Sequence, residues 1–229
     1  MIKSECGVRS AEYKEKHRYL KNTVRVLFVL FSILATVRPT SAQTVDEAVR
    51  AVEKHYDALT DLTAKVTQKN FLKSLDKTQT FEALLWIKKP GRLKLEYSNG
   101  QVILVDGKSA LFYSRKSEQL IRKTFTDFEQ MNIPVAFLLG AGHIRDDFDV
   151  LQPDSAKPGR LELIPKKPGA AMKKLALQTE SSGRITAIMI QDRSGNVTEV
   201  LFADVREGTG VDDKLFTFKP PKGTEIIEQ

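Results

Sequence analysis

Read from its N-terminus, the chain changes its hydrophobic period twice. A run of apolar and weakly polar residues, Val26 to Val37, comes first. Val45, Ala48, Val49, Val52, Tyr56 and Leu59 then recur at helical spacing, and from Leu62 onward the period falls to two. Thr44-Val45-Asp46-Glu47 has the form of a capping box, so a helix of about four turns is predicted to begin there. Leu62, Ala64 and Val66 alternate with Thr63, Lys65 and Thr67 as a first strand, and a polar loop follows from Lys73 to Lys77.

The strongest alternation lies between Phe81 and Tyr113. Segments rich in aliphatic and aromatic side chains are separated by Lys89-Pro90-Gly91, Ser98-Asn99-Gly100 and Asp106-Gly107, whose backbone preferences suit tight turns. An antiparallel meander is predicted. Phe81, Ala83, Leu85 and Ile87 share one parity, as do Leu93, Leu95 and Tyr97, while Arg92, Lys94 and Glu96 point the other way, so one face is apolar and the other solvated. The apolar parity runs on to Lys89, a cation at the rim of that face directly before a proline.

Beyond Tyr113 a strand through Leu120, Ile121 and Phe125 is followed by a break. Ile133 to Gly140 places Pro134 at a first-turn position and Gly140 at a C-terminal cap, predicting a short, nearly all-apolar helix. Further short strands are expected around Phe148 and Val150, Leu161 and Leu163, Leu175 and Leu177, Ile185 to Ile190, Val197 to Val205, and Leu215 to Phe218. The fold class is therefore mainly β (α+β): one large curved antiparallel sheet of about eleven strands with helical interruptions. Such a sheet encloses either a solid core or a hollow able to admit an apolar guest, and periodicity fits both.

Charge changes this picture only at the N-terminus. The polar, basic residues 1–25, the apolar run and Thr40-Ser41-Ala42 read as a secretory signal peptide, cleaved to leave residues 43–229 as a single domain. Residues 1–42 hold eight Lys/Arg against three Glu, leaving 28 against 26 in the rest, so the overall charge of +7 mostly describes the targeting segment. A near-balanced domain gives little reason to expect nucleic acid as a partner. Cys6, the only cysteine, departs with the signal, and a domain exported without thiols suits the periplasm.

Candidate chemistry is sparse. His55 and His143 are too few for a histidine-rich metal site and have no cysteine to help them. Asp106-Gly107-Lys108-Ser109 contains the Gly-Lys-Ser of a phosphate-binding loop, but Val102 stands where the first glycine is required and a strand follows where a helix is needed. Asp146, Asp147 and Asp149 lack the spacing and glycine of a calcium loop. No Gly-x-Ser-x-Gly elbow occurs. The expectation is a protein that is not an enzyme, with no catalytic residues, no metal and no cofactor.

Several stretches carry a resemblance. Leu84-Leu85-Trp86-Ile87-Lys88-Lys89-Pro90-Gly91-Arg92, Ile103 to Lys108, Phe112-Tyr113, Glu118-Gln119, Asp192 to Gly195, and Phe216-Thr217-Phe218-Lys219-Pro220-Pro221-Lys222-Gly223 resemble, in order, the periplasmic outer-membrane lipoprotein carrier family, LolA. The resemblance implies an unclosed antiparallel β-barrel with helices forming a lid over an apolar cavity. It implies a chaperone that binds the acyl chains of lipoproteins released by an inner-membrane ABC-type transporter and passes them to an outer-membrane acceptor. Leu85, Ile87, Leu93, Leu95 and Tyr97 would line the lipid-binding cavity, and Phe137 and Leu138 would belong to the lid. Lys89 would be its latch, standing where the family usually has arginine. Lysine offers a compact point charge instead of a fork of fixed donors, so a weaker latch or a different amphiphile is implied. A carrier that must expose its mouth is expected to be a monomer. An envelope-stress sensor on the same scaffold, or a carrier of another lipid, is the competing expectation.

Overall fold

A computed structural model describes residues 44–125, 143–152, 157–167 and 172–228, all within the second of two units into which the chain divides, Gln43–Gln229. Helix α1 (Val45–Ala58) opens it and carries the capping box: the Thr44 hydroxyl accepts from the Glu47 N–H while the Glu47 carboxylate accepts from the Thr44 N–H. The strands follow as β1 (Asp61–Leu72), β2 (Lys77–Lys88), β3 (Arg92–Tyr97), β4 (Gln101–Asp106), β5 (Ser109–Ser114) and β6 (Gln119–Thr124). After the single turn of α2 (Ile144–Asp147) come β7 (Phe148–Val150), β8 (Arg160–Pro165), β9 (Met172–Thr179), β10 (Ile185–Asp192), β11 (Val197–Glu207) and β12 (Glu225–Glu228).

Among the described residues these twelve strands form one sheet in the order β12-β6-β5-β4-β3-β2-β1-β11-β10-β9-β8-β7. Each neighbouring pair is antiparallel except β12 with β6, which is parallel, and the outer strands β12 and β7 do not pair with each other. The sheet is strongly curved. Flat, strands β5 and β8 would lie roughly 38 Å apart, yet Ala110 of β5, Leu161 and Leu163 of β8 and the buried face of α1 belong to one hydrophobic cluster. The result is an unclosed β-barrel with α1 inside its concave face.

The twelve strands agree with the expected number of about eleven, and two features differ from the expected pattern. Leu215 to Phe218 is not a strand: Asp213–Phe216 is a 3-10 turn, opened by the Asp212 carboxylate accepting from the Lys214 N–H, and the last strand is Glu225–Glu228. The outer face of the meander is wet only in part. Val102, Leu104, Leu111, Tyr113 and Leu120 form a second buried cluster on the convex side of β4, β5 and β6, with Phe218 packed on it and its ring 5.0 Å from that of Tyr113. The chain after β11 thus crosses the convex face as a strap. The expected helix at 133–140 lies outside the described residues.

Candidate functional site

The register places the concave-face residues in rows that cross the sheet. Leu62, Ile87, Leu93, Val105 and Ala110 are successive cross-strand partners in one row; Ala64, Leu85, Leu95, Ile103, Phe112 and Ile121 make the next. Val66, Ala83 and Tyr97 follow, then Gln68 beside Phe81 and Val200, then Asn70 beside Gln79 and Thr198. Opposed residues share a face, so each row is a line of side chains across the trough.

From row to row burial falls on β3, β4 and β5, while Val66 and Ala83 of the third row stay buried on β1 and β2. Ile87, Leu93 and Leu85 are 0%, 3% and 4% exposed and pack in the cluster that includes Val49, Val52 and Tyr56 of α1. In this structure they offer almost no surface for a guest to touch. Leu95 and Tyr97 lie further from the helix-filled end and are half-buried, as are Phe81, Ile103, Phe112 and Phe202. The five expected cavity residues are therefore brought onto one face but divided: three sit in the packed end and two in the half-covered end. Phe137 and Leu138 lie outside the described residues.

Helix α1 is fixed at the packed end by several independent contacts. Burying Val49 and Val52 contributes about 1.5–3 kcal/mol each. The Tyr56 hydroxyl accepts a hydrogen bond from the Ile185 N–H at 3.3 Å, and burial pushes its phenol up to about 12. Gly183, in the turn between β9 and β10, lies against the helix backbone with φ +87°; a Cβ there would come within 2.1 Å of the Ala51 carbonyl oxygen. Only glycine fits that approach. His55 lies 3.0 Å from the Glu207 carboxylate, and the Ile144 N–H donates to Glu53 at 2.9 Å.

Lys89 joins this set. Its Nζ donates to the Tyr56 carbonyl in the last turn of α1, and its own N–H donates to the Thr60 carbonyl at 2.9 Å. A cation at a helix C-terminus meets the negative end of the helix dipole. Burial pushes the Lys89 ammonium below its ordinary value, with the Asp57 carboxylate acting in the opposite direction. Its described contact is thus with the N-terminal helix.

Around the same end, Asp61 is buried and holds the start of the strap: its carboxylate accepts from the Thr209 N–H at 2.7 Å, the Thr209 hydroxyl at 3.0 Å and the Gly210 N–H at 3.3 Å. Lys88 and Arg92 both reach Asp213, at 2.5 and 2.8 Å. The half-covered end is different. There the Tyr97 hydroxyl donates to Gln68 Oε1 at 2.7 Å, and Gln68 Nε2 donates to Asn70 Oδ1 at 3.0 Å. Sequence analysis did not single out Gln68 or Asn70, although both continue the parity of Leu62, Ala64 and Val66 and so interrupt an apolar line.

The remaining motifs have structural roles. Asp106 accepts from the Lys108 and Ser109 N–H groups at 2.8 Å each, so Asp-Gly-Lys-Ser is a side-chain-capped turn between β4 and β5. Asp146 and Asp147 lie in the single turn of α2, and Asp149 in β7. Among the described residues no three His, Cys, Asp or Glu side chains are grouped to hold a metal ion.

This geometry defines a class: an unclosed β-barrel whose apolar inner face is filled by a helix at one end and left half-covered at the other. The family model described as "Outer membrane lipoprotein carrier protein LolA" matches residues 57–219, and the chain belongs to that family. An outer-membrane lipoprotein carrier protein from Nitrosomonas europaea is 26% identical over 211 residues, covering 89% of this chain and 98% of that protein. Another from Alkalilimnicola ehrlichii is 25% identical over 213 residues, covering 91% and 96%. Among solved structures, a LolA superfamily protein from Nitrosomonas europaea aligns with a TM-score of 0.43 and 15% identity, over 76% of this chain and 98% of that one.

Proposed function

We propose that this protein is a periplasmic carrier that holds the acyl chains of lipoproteins leaving the inner membrane and delivers them to an acceptor at the outer membrane, without catalysing a reaction. The family membership supports the class of cargo. The observation that carries the reading is the division of the concave face: apolar residues of one parity are packed shut beneath α1, yet the row that runs from Ala64 to Ile121 across β1 to β6 leaves Leu95, Ile103 and Phe112 half-covered, as is Tyr97 in the next row.

The energetics favour such an arrangement. Burial of acyl chain is worth about 0.8 kcal/mol per methylene, so a cavity that enclosed three whole chains would hold them too firmly to hand over. A trough that covers them in part, or that regains contacts of its own when emptied, keeps release within reach. Lys89 fits the second role. It ties the C-terminal turn of α1 to the rim of β2, and displacing α1 for cargo would break that contact.

The test is native mass spectrometry of the full chain expressed in a Gram-negative host that makes acylated lipoproteins, beside the variant Leu95→Glu. The wild type is expected to carry triacylated lipoprotein, and the variant to be folded and empty, because a carboxylate facing acyl chain is costly to desolvate. A wild type that emerges empty from such cells overturns the carrier reading.

A further inference from the structure

The half-covered end of the trough is not uniformly apolar. Strand β1 places Leu62, Ala64 and Val66 on the concave parity, then Gln68 and Asn70, then Leu72. Gln68 lies in register between Phe81 and Val200, and Tyr97, two rows from Leu93, sets its ring edge-on to Phe81 at 6.4 Å. Two amides and a phenol therefore stand in line where the apolar rows give way to Gln79 and Thr198 at the outer end of the face.

Their hydrogen bonds run in one direction. Tyr97 donates to Gln68, and Gln68 donates to Asn70. Burial pushes the Tyr97 phenol up to about 12, so it keeps its proton, and its place as the first donor, at neutral pH. Each amide group has two N–H bonds. The relay spends one of them on Gln68 and none on Asn70, and among the described residues no other acceptor takes those that remain. Every fully buried polar side-chain atom among the described residues has a partner. Asn70 Nδ2, without a partner among the described residues, therefore keeps accessible surface, one step along β1 from Gln68 and its neighbours Phe81 and Val200.

Spare amide donors at the edge of an apolar surface suit one kind of ligand. At the head of an acyl chain the methylenes end at an ester or amide carbonyl, an acceptor whose transfer out of water is costly unless a donor meets it. We infer that Gln68 and Asn70, aligned by Tyr97, form a carbonyl-binding subsite for the ester and amide linkages at the head of acylated cargo, setting how deeply the chains enter the trough. This rests on the carrier reading and adds a specificity that apolar burial alone does not supply: hydrocarbon surface ranks ligands by chain length, whereas the relay ranks them by linkage.

The experiment compares two probes of equal chain length on the full chain purified from a Gram-negative host and stripped of lipid: a triacylated lipopeptide with ester and amide linkages, and its ether-linked analogue without those carbonyls. The wild type is expected to prefer the carbonyl-bearing probe by about tenfold, the worth of one to two hydrogen bonds. Gln68→Leu with Asn70→Leu is expected to abolish that preference while binding the ether analogue at least as well as the wild type. Tyr97→Phe, which keeps the ring and removes the orienting donor, is expected to reduce the preference by about threefold, and it decides the matter if the double variant does not fold. A diacyl phospholipid tested alongside distinguishes a lipid ester from the lipoprotein amide as the source of the carbonyl; a preference sensitive to Gln68 and Asn70 with either supports the subsite. Equal affinity of the wild type for ester and ether probes, or a preference that survives in the double variant, overturns it and leaves the carrier reading standing. Failure of the wild type to bind any probe overturns both.

Discussion

The two halves of the β2–β3 hairpin have the same composition and different fates. Ile87 and Leu93 face each other at the turn end, and Leu85 and Leu95 one step along. The first pair is sealed beneath α1; of the second, Leu85 is buried and Leu95 is half-covered. Polar chemistry divides in the same way. At the packed end several charged groups are engaged with structure: Lys89 with the end of α1, Asp61 with Thr209 and Gly210, Lys88 and Arg92 with Asp213. At the other end Tyr97, Gln68 and Asn70 bond to one another and leave donors over. One end of the trough is held by many contacts, and the other keeps half-covered side chains and spare amide donors.

The largest effect that would break this comparison is a cavity at the sealed end. Ile87→Ala is expected to cost about 3 kcal/mol of folding stability, and Leu95→Ala about 1 kcal/mol, because a half-covered side chain has less burial to lose. Denaturant melts of the two variants check this; equal losses would mean that the two ends are packed alike. The next effect is at the helix end. Lys89→Ala removes the cation from the Tyr56 carbonyl and is expected to cost about 1 kcal/mol, while hydrogen exchange in the last turn of α1 speeds up and the strands do not change. Exchange at α1 equal to wild type would show that the other contacts of the helix suffice.

The smallest effect at neutral pH concerns acid. Burial opposes ionisation of Asp61, but the bonds from Thr209, Gly210 and Thr60 outweigh it and hold its carboxyl below the ordinary 3.8. A carboxyl whose folded value is depressed stabilises the fold fully above its unfolded value, and that contribution is lost as pH falls through the lower folded value. The stability difference between wild type and Asp61→Asn is therefore expected to be flat from neutral pH down to about 5 and to shrink below 3.8. A difference that stays constant to pH 2 would show that the strap does not depend on the charge of Asp61.

Much of the fold was legible because its signals are local. The capping box, the helical spacing from Val45 to Leu59 and the alternation from Phe81 to Tyr97 each depend on residues a few positions apart. The second buried face of β4 and β5 could have been found, since Gln101 to Asp106 reads as a nearly continuous apolar run, the mark of a strand covered on both sides. The strap that covers it comes from more than a hundred residues further along, and no local pattern joins the two.

What the sequence alone determined is which residues share a face: parity fixed Leu85, Ile87, Leu93, Leu95 and Tyr97 to one side of the sheet, whatever the sheet then did. What only the tertiary structure decided is which of them stay available. That depended on where α1 lies, which follows from the fit of Gly183 against its backbone and from Ile185 of β10 and Lys89 beside β2, far apart in the chain, both meeting its Tyr56. Parity is a property of neighbouring residues; burial is a property of whatever packs on top, and close packing admits a helix only where every contacting surface leaves room for it.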